Sequence, residues 1–351
     1  GGGLVGDAHE LPGLHITAED GAALLDWLAT GTGHTATIGG ATLDESASNA
    51  DILAGFSSRG PNRSVPDMIA PSVAAPGVDI IAADGVDGAI SWGFNSGTSM
   101  ASPHAAGAGA LLAGTHPDWS PAEIQSALMT TGFRNVLKED GATPATPFDQ
   151  GSGRIQVDWA VDAGLVLDIP NTDFTEADPA AGGDPSTLNL PSMANDQCVL
   201  ECTWTRTVEA TTAGTWNAAV SGDGFDVTVE PAGFTLTEGA TQELTITADV
   251  TSSDIGVWMF GDLVLGAPDG IPDTYMPIAV QASTGELPAS IEIKTSRDAG
   301  SHVVPDLTAI EITELTVDFS GLAIGDSMDL SLPTDSDNGS AFDDLEDGVY
   351  W

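Results

Sequence analysis

The segment Asn95-Ser96-Gly97-Thr98-Ser99-Met100-Ala101-Ser102-Pro103-His104 has the residue types for nucleophilic acyl transfer. Gly97 permits a tight turn, and Ser99 falls where a helix would begin. Pro103 follows about a turn later, where a missing N–H costs little. A hydroxyl at a helix start sits beside unpaired N–H groups and the positive end of the macrodipole. Both favour the negative charge that a tetrahedral acyl intermediate develops. The run Ala105-Ala106-Gly107-Ala108-Gly109-Ala110 continues the helix with small residues and no polar stripe, so the helix is expected to be buried on all sides, beneath a sheet.

Gly97-Thr98-Ser99-Met100-Ala101-Ser102-Pro103-His104 closely resembles the nucleophile motif of the subtilisin-like serine peptidases, the subtilases. The resemblance implies that Ser99 is the nucleophile and that its own backbone N–H serves the oxyanion. It extends from about Asn49 to Asp168. Phe56-Ser57-Ser58-Arg59-Gly60-Pro61 and Ala74-Ala75-Pro76-Gly77-Val78-Asp79-Ile80-Ile81-Ala82-Ala83 are similar to the loop and buried strand before the serine. Gly151-Ser152-Gly153-Arg154-Ile155 and Trp159-Ala160 are similar to the segment that closes the catalytic domain. From the residues alone, the β-branched run ending at Asp84-Gly85 predicts a short parallel strand. Ser120-Pro121-Ala122-Glu123 is a capping box that opens a helix to about Thr131.

Serine chemistry needs a base and a group that orients it. The resemblance implies an aspartate and a histidine, in Asp-Ser/Thr-Gly and His-Gly-Thr-His contexts, and an oxyanion asparagine. None of these contexts occurs in the chain. His104 lies about 500° around the helix from Ser99 and is read as structural. His116 and His302 are read as surface residues, and Gly33-His34-Thr35 lacks the continuation of a base motif. His9-Glu10 and His15 do not have His-Glu-x-x-His spacing, and Pro12-Gly13 would break the helix that such a zinc motif needs. Asp51, Asp67, Asp79, Asp84 and Asp87 read as loop acids. No cofactor is needed for the chemistry. Asp84 with Asp87, and the acidic run Asp335 to Asp347, leave room for a structural calcium ion, although the latter lacks EF-hand spacing.

The expectation is therefore a C-terminal part of a longer protein whose missing N-terminal part supplies the base. Residues 1–45, with a Gly21 to Leu28 helix, resemble the tail of a protease-associated insert of large subtilases. Residues 46–169 are the C-terminal part of a catalytic domain, expected as a parallel sheet with helices. Residues 170–192, rich in Asp, Pro, Gly and Ala, read as a linker.

Residues 193–285 alternate with period 2 over Thr203–Val208, Trp216–Val220, Asp226–Glu230 and Glu243–Val250, and so predict a β-sandwich. The segment resembles the fibronectin type III-like domain of the same subtilases. Residues 286–351 read as a truncated β-rich domain, with strands at Ile291–Ile293 and Ile310–Phe319.

Composition narrows the partners. The chain has 351 residues, with 52 acidic against 8 basic side chains and a net charge of −44, which repels nucleic acid and anionic membranes. A mean hydropathy of +0.06 argues for folded domains, and no apolar run is long enough to span a bilayer. Cys198 and Cys202 are the only cysteines, and their spacing favours a disulfide and an exported protein.

Two function classes follow. One is a secreted serine endopeptidase acting on protein or peptide substrates through an acyl-enzyme on Ser99. The other is a non-catalytic extracellular binding or adhesion protein with a degenerate peptidase domain. The intact Ser99 motif favours the first, because a retired site has no need of a serine at an exposed helix start.

Overall fold

The computed structural model describes residues 13–14, 16–39, 46, 49–85, 88, 90–286 and 308–309, with the side chains of Asp84, Glu286, Thr308 and Ala309 excluded. His9, His15, His302, Asp87, the strands expected at Ile291–Ile293 and Ile310–Phe319, and the acidic run Asp335 to Asp347 lie outside the described residues.

The N-terminal helix α1 (Ala18–Leu28) is capped by Thr17, whose side chain accepts from the Asp20 N–H. The hairpin β1 (Ile80–Asp84) and β2 (Ser91–Asn95) leads into α2 (Thr98–Thr115) and α3 (Pro121–Thr130). The short helices α4 (Pro147–Gln150) and α5 (Val157–Ala160) and the two-residue strand β3 (Leu165–Val166) complete this half. The capping box forms as expected: Ser120 Oγ accepts from Glu123 N at 3.1 Å, and Ser120 N donates to Glu123 Oε2 at 2.6 Å. Ala108 and Leu112 of α2 pack with Ala127, Leu128, Ile155, Ala160 and Val166 into one apolar cluster.

Two expectations for this half are corrected. The strand at Ile80 is antiparallel, registered Ile80 to Asn95 and Asp84 to Ser91. A parallel strand needs a partner brought in by a crossover. No parallel partner to this strand occurs among the described residues, and Ser91–Asn95 is near enough in sequence to form a hairpin. Its apolar side chains are open, Ile81 being 59% and Trp92 68% exposed. The second correction concerns α2, which is covered on one side only. Leu112 is fully buried, whereas Leu111 is 63% exposed, because no sheet lies over that face among the described residues.

The segment read as a linker is folded. It forms α6 (Asn171–Glu176) and 3-10 turns at Pro179–Ala181 and Pro185–Thr187. The two Asp-Pro pairs that gave it linker composition are helix starts. Asp178 and Asp184 accept from the N–H groups of Ala180 and Ser186 at 2.9 and 2.8 Å, with proline as the first helical residue. Ile169, Ala177, Leu188 and Leu190 form its small core.

The sandwich follows, with β4 (Met193–Cys198), β5 (Glu201–Ala210), β6 (Gly214–Gly222), β7 (Asp226–Glu230), β8 (Gly233–Leu236), β9 (Thr241–Asp249), β10 (Trp258–Gly266) and β11 (Thr274–Ala282). One sheet has the order β4-β11-β10-β6-β8, and the other β3-β5-β9-β7. Beyond them, β12 (Gly285–Glu286) pairs antiparallel with β13 (Thr308–Ala309). Alternating residues meet between the two large sheets, among them Trp204, Trp216, Leu244, Ile246, Leu263 and Ile278. Cys198 and Cys202 are bonded, with Cα atoms 5.4 Å apart, and tie β4 of one sheet to β5 of the other.

The two halves share structure. β11 is buried on both faces. Met276, Ile278 and Val280 enter the sandwich core, while Ala279 joins Ile69 and Phe148 on the opposite face. The Phe148 ring meets Trp258 and Phe260 edge-on at 4.9 and 5.1 Å. β3 extends the second sheet by pairing with β5, so Leu165 lies in the sandwich core and Val166 in the helical core.

Arg206, in β5, is 2% exposed and has no carboxylate hydrogen-bond partner. Its guanidinium donates to the carbonyls of Leu190 (2.7 Å), Ser192 (2.8 Å), Thr205 (2.8 Å) and Ser186 (3.2 Å). Burial lowers its pKa to about 10, so it stays charged at neutral pH. The folded 186–192 segment is thus held by a cation whose desolvation is offset by carbonyl dipoles. Arg206→Met fills a similar volume but leaves these carbonyls short of donors. It is expected to destabilise the chain by about 3 kcal/mol, read as a lower urea midpoint at unchanged slope; an unchanged midpoint contradicts the assignment.

Candidate active site

The serine segment is positioned by main-chain contacts. Residues 72–74 are bound along 152–155: Ser152 N donates to Ser72 O at 3.0 Å, Ala74 N to Gly153 O at 2.8 Å, and Ile155 N to Ala74 O at 2.9 Å. Gly151 has φ 64°, and a Cβ there would lie 2.3 Å from Ser72 O, which accounts for the first glycine of Gly151-Ser152-Gly153. Further along, Gly97 N donates to Gly77 O at 2.8 Å. A Cβ on Gly77 would stand 2.8 Å from Gly97 O and 3.3 Å from the Ala101 Cβ. Asp79 N donates to Ser96 Oγ at 2.8 Å, which fixes the residue before the turn.

Gly97 caps α2 with extended backbone and no side-chain hydrogen bond. Its carbonyl accepts from Met100 N at 3.0 Å and Ala101 N at 3.3 Å. Ser99 is exposed. Its hydroxyl and the Thr98 and Ser99 N–H groups have no hydrogen-bond partner among the described residues. A hydroxyl beside unpaired N–H groups at the positive end of a helix suits attack on a carbonyl and reception of the resulting negative charge.

Pro103 is the sixth residue of α2, two beyond its first four N–H positions, so its cost differs from that expected. The missing N–H would otherwise meet the Ser99 carbonyl four residues back.

The cavity at this helix start, of about 590 Å³, is lined by Pro76, Gly77, Val78, Thr98, Ala101 and Ser102 among others, and Ser99 is not one of its lining residues. Arg154 closes the same cavity through an ion pair with Asp51, and its guanidinium lies 5.0 Å from the Phe133 ring centre. Asp149 is held by Arg59 at 2.5 Å and Lys138 at 3.2 Å. Burial raises its pKa. Hydrogen bonds from the Thr146 backbone, Arg59, the Thr146 hydroxyl and Lys138 outweigh that effect and hold it at about 2. Asp51 and Asp149 are therefore structural anchors. Nothing in isolated loop sequence marks Asp51 as one, since Arg154 is more than a hundred residues away.

The described histidines are engaged elsewhere. His104 Nδ1 donates to Met100 O at 2.8 Å, one turn back on α2. His34 Nε2 donates to Thr30 O at 2.7 Å and its ring meets Trp27 edge-on. His116, expected at the surface, is half-buried: it stacks on Trp119 at 3.9 Å and donates to Val161 O at 2.8 Å, joining α2 to the turn after α5. Among the described residues, no group of three or more His, Cys, Asp or Glu is placed to hold a metal, and no helix is long and apolar enough to cross a membrane.

Residues 17–153 match the subtilase family and residues 187–280 match a fibronectin type-III domain. Residues 17–153 are a subtilase-family segment. The Arabidopsis thaliana subtilisin-like protease SBT1.7 is 32% identical over 318 residues, covering 76% of this chain and 42% of that protein. The subtilisin-like protease SBT1.6 of the same plant is 37% identical over 214 residues, covering 56% of this chain and 28% of that protein. The chain thus spans less than half the length of these relatives. The subtilase match begins at residue 17, so it takes in α1.

The Gly77–Gly97 approach makes a local prediction. Gly77→Ala is expected to destabilise the chain by about 1–3 kcal/mol through overpacking against backbone. Gly107→Ala on α2, where a Cβ meets nothing within 4 Å, is expected to stabilise by up to about 1 kcal/mol. Denaturant midpoints measure both, and a neutral Gly77→Ala would show that the two turns are not in contact.

Proposed function

We propose that this subtilase segment is the nucleophile-bearing part of a secreted serine endopeptidase. In this reading Ser99 Oγ attacks the carbonyl of a peptide bond in a protein or peptide substrate. The oxygen that becomes negative is received by the Ser99 N–H at the start of α2; the peptide C–N bond then breaks, the amine leaves with the proton that the base took from Ser99 Oγ, and the acyl ester on Ser99 is hydrolysed by water, which restores the hydroxyl. The observation that carries the reading is the exposed Ser99 hydroxyl next to unpaired N–H groups, in a segment whose relatives are named subtilisin-like proteases.

In this reading the general base comes from outside the described residues, since each described histidine ring is committed to a carbonyl of its own neighbourhood. A serine without an adjacent base is a weak nucleophile, so the 351-residue chain alone is inactive in this reading. The bonded Cys198 and Cys202 support passage through an oxidising compartment. The −44 charge supports a partner other than nucleic acid. No cofactor enters the chemistry, and a structural calcium ion, if present, belongs to the acidic loops.

The test is peptide hydrolysis by the full-length protein. Ser99→Ala is expected to lower kcat at least about a thousandfold with the thermal midpoint unchanged. Ser102→Ala, on the cavity side of the same turn, is expected to stay within a few-fold of the parent. Near-normal turnover in Ser99→Ala overturns the reading, and a full-length protein with no turnover even before mutation favours the non-catalytic adhesion protein.

A further inference from the structure

The chain on both sides of Ser99 presents surface of a kind that the protein avoids elsewhere. In the hairpin, Ile81 is registered with Phe94 and Ala83 with Trp92, and alternate residues of a strand share a face. These four side chains therefore form one face, apolar throughout and exposed. On α2, Ala106, Gly107, Ala110, Leu111 and Gly114 recur at spacings of three, four and seven and lie exposed along one side of the helix. A Cβ on Gly107 or Gly114 would meet nothing within 4 Å, so this side is open to close approach. The cavity at the start of α2 has the same character. Ile52, Phe56 and Val78 in its lining are exposed, and its Asp51 and Arg154 are paired with each other.

Two contrasts separate these faces from ordinary surface. Charged residues make up 17% of the chain, yet no Asp, Glu, Lys or Arg occurs from residue 88 to residue 117. Strand β9, whose inner face fills the sandwich core, turns Glu243, Thr245 and Thr247 outward. Where solvent is the final neighbour, this chain makes the exposed face polar. Charge depletion combined with exposed aromatic side chains is the composition of an interface core.

The relatives indicate the occupant. The matched residues account for 42% of SBT1.7 and 28% of SBT1.6, so more than half of each relative has no counterpart in these 351 residues. A basic partner would be drawn to the acidic surface of a chain with net charge −44, away from a charge-free face. A segment of the same polypeptide needs little intrinsic affinity, because tethering keeps its effective concentration high.

We propose that the Ile81–Phe94 face of the hairpin, the Leu111 side of α2 and the cavity wall are a docking surface for a segment of the same polypeptide outside these 351 residues. The covering segment is apolar and poor in charge, and at the α2 glycines it comes close to the main chain. It borders Ser99, since Thr98 and Ser102 line the cavity. It is thereby placed to bring a base to the hydroxyl, and that last step alone rests on the reading of Ser99 as the nucleophile.

The experiment is carbene footprinting of the full-length protein with a small aliphatic diazirine, the adducts being located by mass spectrometry. Ile81, Trp92, Phe94 and Leu111 are expected to take up label like the buried Leu263, at least about fivefold below the exposed Ile255 and Val257 of the sandwich. In the 351-residue chain the same four label like Ile255. In the full-length protein, Leu111→Ser is expected to lower the thermal midpoint by about 5 °C, as for a buried leucine, and Ile255→Ser to leave it within about 1 °C. Labelling of the four at the Ile255 level in the full-length protein overturns the surface. Protection that needs added peptide also overturns it, by showing a substrate site, as does protection in the 351-residue chain that grows with its concentration, by showing a contact between copies. Reaction with a fluorophosphonate separates the two readings. Protection with no adduct on Ser99 keeps the docking surface and removes the nucleophile, and an adduct without protection does the reverse.

Discussion

Ser99 is located by backbone rather than by side chains. The Gly97 N–H donates to the Gly77 carbonyl at 2.8 Å, residues 72–74 are bound along 152–155, and that segment runs through α5 into β3 of the sandwich. Each link in this path is a main-chain hydrogen bond or a close glycine contact. The position of the hydroxyl therefore depends on packing more than fifty residues away in sequence. Such contacts tolerate almost no added volume, which makes glycine the natural residue at 77 and 151.

The same path explains why the sandwich is built into the subtilase segment. β3 supplies one residue to each core, and Phe148 inserts between Ile69 and the aromatic side chains of β10. β11 loses its polar face as a result and reads as a continuous apolar run, as a strand covered on both sides should. Arg206 fixes the intervening segment to β5 through carbonyls alone. The junction is thus apolar and hydrogen-bonded, and the excess acidic charge is left to the surface, where it is solvated.

Features set within a few residues were legible in the sequence. The Ser120–Glu123 capping box, the Gly97 turn before α2 and the alternation of β5, β7 and β9 are local, and each forms within a residue or two of its expected place. Features that depend on a distant partner were not. The Ile80 run carries the same β propensity whether its neighbour is parallel or antiparallel, and the hairpin is decided by which segment is at hand. The small-residue helix α2 was read correctly as apolar, but its coverage depends on what packs against it. Asp178-Pro179 and Asp184-Pro185 have linker composition and helix-cap chemistry at once, and only the core at Ile169 and Leu188 decides between them. The anchors Asp51 and Asp149 and the stacked His116 were hidden for the same reason: their partners are remote in sequence or set by packing.

The central claim is that the serine exposed at the start of α2, and not its neighbour on the cavity side, is the nucleophile. Reaction of the full-length protein with a fluorophosphonate, followed by proteolytic digestion and mass spectrometric location of the adduct, tests this most directly. The account predicts one adduct per chain, on Ser99, with no adduct on Ser102. An adduct on Ser102, or on a serine outside residues 98–115, would contradict it.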